Sequence, residues 1–289
     1  MSSLLTPLHL QSPCTPSDPL MYPMGLTPAS PVNAVRRGLL VAAGGLLASG
    51  LASAAPRVPP RAESPPVGMD PVAMSSGLAA RWAAAMHRDM GWQARWQALG
   101  SLAVLAQLEA GDLPMGVFLA TPRADALDRA GLIHDRHTLA YTDLLLVGPK
   151  EDVAGLRGAG SLVDALRQVL AAHAAGAAEW DAPAAGDALA DWVTKWSPGL
   201  PRTNRPPVSA PLSALPYRLV TRAAWSGRAA DRQARIWAES SPDQAVALQV
   251  ARSFRSRHPG AGLLVKWLQA PLAMKQVRAG APGWRAAGR

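Results

Sequence analysis

Cysteine is almost missing from this chain of 289 residues: the single example, Cys14, lies in a segment that reads as a removable leader. A mature protein without cysteine has no disulfide framework and no thiol nucleophile. Aromatic residues are scarce at 5%, and ten of them are Trp against three Tyr and two Phe, so indoles must fill much of the core. Several catalytic signatures are missing as well. There is no Gly-x-Ser-x-Gly elbow, no phosphate loop and no His-Glu-x-x-His pair. No nucleophile with a partnered base is visible, so the chain is expected not to be an enzyme and to need no cofactor. His134 and His137 flank Asp135 and Arg136, but a metal centre needs further placed ligands, and the segment reads as a polar turn.

What is present is a basic, half-hydrophobic chain. Hydrophobic residues make up 49% and charged residues 17%, enough apolar material for one or two domains with real cores. The formal net charge is +9 and the isoelectric point about 10.7. Beyond one adjacent pair at Arg36-Arg37 the arginines are scattered singly, with no basic block or aromatic-interleaved ribbon, so no obvious footprint for a nucleic-acid backbone exists. A small anion needs only one positive cleft and stays open.

Arg36-Arg37 precede the mildly apolar Gly38 to Leu47, and Ala52-Ser53-Ala54 forms a small-x-small cleavage pattern. This is a secretory signal, and the arginine pair with a Gly/Ala-diluted core favours the twin-arginine route. Residues 1–54 are therefore expected to be a cleaved leader, and the mature protein to be periplasmic. Residues 55–71 read as a flexible Pro-rich segment.

Leu78, Trp82, Ala85, Met86 and Met90 then share one helical face. Ser75-Ser76-Gly77 stands before them, either capping that helix or offering donors to an anion. Trp92 to Ala98 alternates as a strand with one indole face, Leu102 to Ala110 is helical, and Met115 to Ala120 is a short strand ending in Thr121-Pro122. Arg123 to Ala130 is a further helix. Leu144 to Val147 is a continuous apolar run stopped by Gly148-Pro149, the mark of a strand buried on both faces. Strands alternating with helices predict an α/β protein with a mostly parallel sheet, whose ligands lie beyond the carboxyl ends of the strands. Farther on, Ser161 to Ala172 is amphipathic, and Trp192 and Trp196 share a helix face. Ser197 to Pro216 is a Pro-rich loop, Tyr217 to Thr221 a strand, Ala245 to Ala251 a returning strand, and Leu263 to Val277 a last helix.

Tyr141-Thr142-Asp143, the apolar run, Val147-Gly148-Pro149-Lys150, Asp152 and Ala154-Gly155-Leu156 together resemble the tungstate-binding family of periplasmic substrate-binding proteins, components of ABC importers. Ser76-Gly77-Leu78, Gly100-Ser101, Glu109-Ala110-Gly111-Asp112 and His258-Pro259 followed by Trp267-Leu268 and Ala270-Pro271 agree in order. The chain departs from the family where threonines precede its Ser-Gly-Leu helix and where a second-lobe Ser-Arg-Gly-Asp motif stands. The resemblance implies a type II periplasmic binding-protein fold, two α/β lobes joined by crossing hinge strands. Lobe one would comprise residues 72–143 and 247–289, and lobe two residues 144–246. It also implies a small anionic ligand such as tungstate or molybdate, a membrane permease as partner, and a monomer. The ligand donors carried over are Ser75, Ser76, Ser101, Thr121, Thr142 and Arg222. The alternative is an accessory or sensing protein on the same fold whose pocket no longer binds.

Overall fold

The computed structural model describes residues 64–93, 95–184, 187–196, 215–226, 233–279 and 281–287. All belong to one compact unit, Val58–Arg289. The expected leader and most of the Ser197 to Pro216 loop lie outside the described residues.

The elements follow in order: β1 (Pro66–Met69), α1 (Pro71–Ser75), α2 (Leu78–Met90), β2 (Arg95–Ala98), α3 (Ser101–Ala110), β3 (Met115–Leu119), α4 (Pro122–Arg129), β4 (Ile133–Thr142) and β5 (Leu144–Gly148). Then come α5 (Leu162–Ala174), β6 (Trp180–Asp181), α6 (Ala188–Trp196), β7 (Tyr217–Thr221), α7 (Arg222–Ser226), β8 (Arg235–Glu239) and β9 (Val246–Ser253). The chain closes with α8 (Pro259–Gln269), α9 (Pro271–Arg278) and β10 (Arg285–Ala286).

Two sheets result. The first has six strands in the order β10-β4-β9-β3-β1-β2, the second four in the order β6-β7-β5-β8. β1 is parallel to β2 and β3, whereas β9 runs antiparallel to both β3 and β4. One face of the larger sheet, with Val67, Met69, Met115 and Val117, shares a core with Trp82 and Met86 of α2, Leu264 of α8 and Val277 of α9. The other face, with Phe118 and Ala251, packs on Val104, Leu105 and Leu108 of α3 and Leu127 of α4. The chain passes from the first sheet to the second at Asp143, between β4 and β5, and returns between β8 and β9.

Four expectations are corrected. The segment read as flexible through Pro71 holds β1, an inner strand of the larger sheet. Pro66 opens it, where a missing donor does least harm, and Val67 and Met69 are fully buried. The turn expected at His134 to Thr138 is instead part of β4, paired with β9 through two register shifts. Its polar residues face outward in ion pairs, Arg136 with Asp125 and Arg252 with Asp135. The sheet around Leu144–Gly148 is not parallel, because β5 runs antiparallel to both β7 and β8. A strand that carries the chain across must be met by one that carries it back. The last helix, expected as one, breaks at Ala270-Pro271, since proline cannot donate into a continuing turn.

Candidate functional site

The carboxyl ends of β1, β2 and β3 lie side by side, the place where ligands sit in open α/β sheets. Asp70 follows β1 there. Its N–H donates to the Val117 carbonyl (2.9 Å), which fixes it between the neighbouring strands. Its side chain caps α1, accepting from the Val72 N–H at 2.9 Å.

The close approach of α3 completes the surroundings. Gly68 and Gly116 lie under Val104, and a Cβ on Gly68 would come within 2.5 Å of Leu113 Cδ1, so the helix can settle only on bare backbone. That seating brings the first residue of α3 onto Asp70. The Ser101 hydroxyl donates to Asp70 Oδ2 at 2.5 Å and accepts from the Leu119 N–H at 2.7 Å. Asp70 is 5% exposed and Ser101 1%. Burial pushes the Asp70 carboxyl above its ordinary value of 3.8; the hydrogen bonds from Ser101 and Val72 oppose this, and the negative charge of Asp187 adds to it. Asp187 itself stands before α6, capping it through the Leu189 N–H at 2.9 Å.

The residues predicted as ligand donors fall into separate situations. Ser101 is committed as just described. Ser76 is not the cap of α2: that position is Gly77, with no side-chain bond, while Ser76 ends α1. Its hydroxyl bonds the Ala73 carbonyl at 3.2 Å and accepts from the Trp284 indole N–H at 2.8 Å. Ser75 is exposed, with only a 3.4 Å contact to the Val72 carbonyl. Thr121 caps α4, accepting from the Ala124 N–H at 3.3 Å. Thr142 is fully buried at the crossing and accepts from the Ala223 N–H at 3.1 Å. Arg222 opens α7, instead of ending the strand, and pairs with Glu239 and with Asp143 (3.6 Å).

The crossing itself is dense with polar contacts. The Asp143 carbonyl accepts from the Arg222 N–H at 2.7 Å, and the Asp143 carboxylate lies 2.5 Å from Arg285. Ser240 on the return path bonds Leu144 twice, donating from its N–H (2.8 Å) and accepting at its hydroxyl (2.9 Å). The C-terminal segment straps across this point through three successive residues. Gly283, at φ 75°, presses on the Ala223 backbone; Trp284 bonds Ser76; Arg285 pairs with Asp143. Among the described residues no group of three or more His, Cys, Asp or Glu is placed to hold a metal ion.

Sequence reading missed Asp70, Asp187, Glu239 and Trp284. Only Asp70-Pro71 carried a local signal, an acidic cap before proline.

No protein-family model matches the chain, and no curated protein sequence does. Solved structures do match. A periplasmic protein proposed to bind metal is 16% identical with a TM-score of 0.66, covering 78% of this chain and 97% of its own. The tungstate ABC transporter protein from Geobacter sulfurreducens is 18% identical with a TM-score of 0.62, covering 75% and 99%. The tungstate-binding protein TupA from Desulfovibrio alaskensis G20 is 17% identical with a TM-score of 0.60, covering 79% and 100%. The chain thus has the type II periplasmic binding-protein fold that its motifs implied: two α/β lobes joined by crossing strands.

Proposed function

We propose that this chain is a periplasmic solute-binding protein, exported with a cleaved leader, that captures a small polar solute and delivers it to the permease of an ABC importer. The observation that carries this reading is the pair of sheets joined by two crossings, at Asp143 and between β8 and β9, in a fold shared with tungstate-binding proteins. Such an arrangement suits capture by hinge closure, with full contacts made only when the lobes meet. Residues 72–143 and 247–289, extended back to β1 at Pro66, form lobe one in this reading, and 144–246 lobe two. The protein acts as a monomer and without catalysis. The resemblance makes an oxyanion the first solute class to test.

A second reading is supported by one specific observation. Ser76 and Ser101, the donors whose motif surroundings are best kept, spend their hydroxyl hydrogens on Ala73 and Asp70. A dianion needs several free donors, best charge-assisted. On this reading the protein is an accessory or sensing component on a binding-protein scaffold.

Thermal melting of the purified mature protein separates the two. The panel is tungstate, molybdate, sulfate and phosphate, together with neutral and cationic amino acids and polyamines. A solute at a hundred times its dissociation constant adds about 2.7 kcal/mol of stability and raises the melting temperature by several degrees. A shift with any member supports solute capture; no shift with any of them leaves the accessory reading.

A further inference from the structure

The geometry points to Asp70 as the residue that sets the charge class of the solute: its carboxylate is a built-in anion that holds two donors at the carboxyl ends of the parallel strands, so the wild-type protein rejects doubly charged oxyanions and takes a small solute that presents a neutral or cationic hydrogen-bond donor. This rests on the solute-capture reading and refines it.

Two donors converge on one carboxylate at the carboxyl ends of the parallel strands: the Val72 N–H and the Ser101 hydroxyl. They come from the starts of two helices, α1 and α3, and Ser101 is oriented for the task by the Leu119 N–H behind it. Among the described residues no cation pairs with Asp70; Arg222 and Arg285, the arginines at the crossing, are engaged by Asp143 and Glu239. Any anion entering beside Asp70 would meet a like charge and would find these donors already used. Protonation of Asp70, which burial favours, removes the charge but turns the group into a donor with its acceptor capacity reduced, and still leaves Ser101 committed. A solute with an amine, amide or hydroxyl donor meets the opposite situation, because the carboxylate retains lone pairs to offer.

Two variants test this. Asp70→Ser removes the charge, shortens the side chain and keeps a residue that caps helices well. Asp70→Asn keeps the shape and the capping oxygen and removes only the charge. Circular dichroism and melting establish that each is folded, and isothermal titration with molybdate measures binding. Wild-type protein is expected to give no heat up to millimolar molybdate, and Asp70→Ser to bind at least 100-fold more tightly than that limit. Asp70→Asn should gain less, in the same direction. Any neutral or cationic solute that stabilises the wild type should lose at least tenfold in affinity in both variants, a loss that a merely structural Asp70 would not pair with a gain for anions. Wild-type binding of molybdate within tenfold of both variants overturns the inference, as does a folded pair of variants that gains nothing. The solute-capture reading fails on a different result, the indifference of wild-type protein to every solute in the panel.

Discussion

Asp70, at the end of β1, and Asp143, at the crossing between the sheets, are two carboxylates at turning points of the chain, held in opposite ways. Asp70 is buried and receives neutral donors only, from Val72 and Ser101. Asp143 is half-buried and faces two guanidiniums, Arg222 at 3.6 Å and Arg285 at 2.5 Å. Neutral donors satisfy lone pairs without cancelling charge, so burial wins at Asp70 and lifts its proton affinity. At Asp143 the cations cancel the charge, and the group serves as a fastener between the crossing, α7 and the C-terminal strap. One region keeps a carboxylate at the carboxyl ends of the parallel strands; the other uses positive charge to fasten the crossing to α7 and the strap.

The comparison can be broken most forcefully at the strap. Gly283 is at φ 75° and a methyl group there would lie 2.5 Å from the Ala223 nitrogen. Gly283→Ala should cost about 3 kcal/mol, combining left-handed strain with overpacking against backbone. Urea unfolding checks it, and a loss under about 1 kcal/mol would mean that the strap is not seated on α7.

At the other carboxylate, Ser101→Ala removes the shortest donor to Asp70 and strands the Leu119 N–H. The expected cost is about 2 kcal/mol, as for a buried bond to a charged group. A neutral result in the same urea assay would show that water or a shifted side chain replaces the hydroxyl.

The pH dependence of stability reads Asp70 directly. The folded state holds the Asp70 proton above 3.8 while the unfolded state has lost it, so the folded protein binds more protons in that interval. Stability contributed by this group is therefore present at low pH and is lost as pH rises through the raised value, with a slope of up to about 1.4 kcal/mol per pH unit. The Asp70→Asn variant should lack that slope. Matching pH profiles of stability for variant and wild type would contradict an elevated Asp70.

The smallest effect belongs to Arg285→Ala. Its guanidinium is half exposed, so the pair with Asp143 should contribute only about 0.5 kcal/mol despite its short distance. High salt should shrink that difference further. A loss above about 2 kcal/mol would show that the crossing depends on this pair far more than solvent screening allows.

Much of the fold could be read directly. The spacing of Leu78, Trp82, Ala85 and Met86 matches the buried face of α2, and the apolar run at Leu144–Val147 matches β5 and its role as the crossing strand. β1 escaped notice because Pro66 and Gly68 disguise a four-residue strand whose flatness is used by α3. β4 was half hidden because solvent-facing ion pairs put His134 to His137 in a polar guise. The candidate site was the least legible part. A serine quoted from a motif shows that a hydroxyl exists, and nothing local says which acceptor takes its one hydrogen.

Sequence alone determined many of the periodic elements and the α/β class, because these follow from local side-chain spacing, while the place where the chain crosses between sheets came from the family resemblance. Tertiary structure decided which groups meet at the candidate site. Asp70 and Ser101 are 31 residues apart in the chain and meet only because α3 lies on two bare glycines; Ser76 and Trp284 are separated by 208. A hydrogen bond is a contact between whatever packing brings together, and packing is not a local property of the chain.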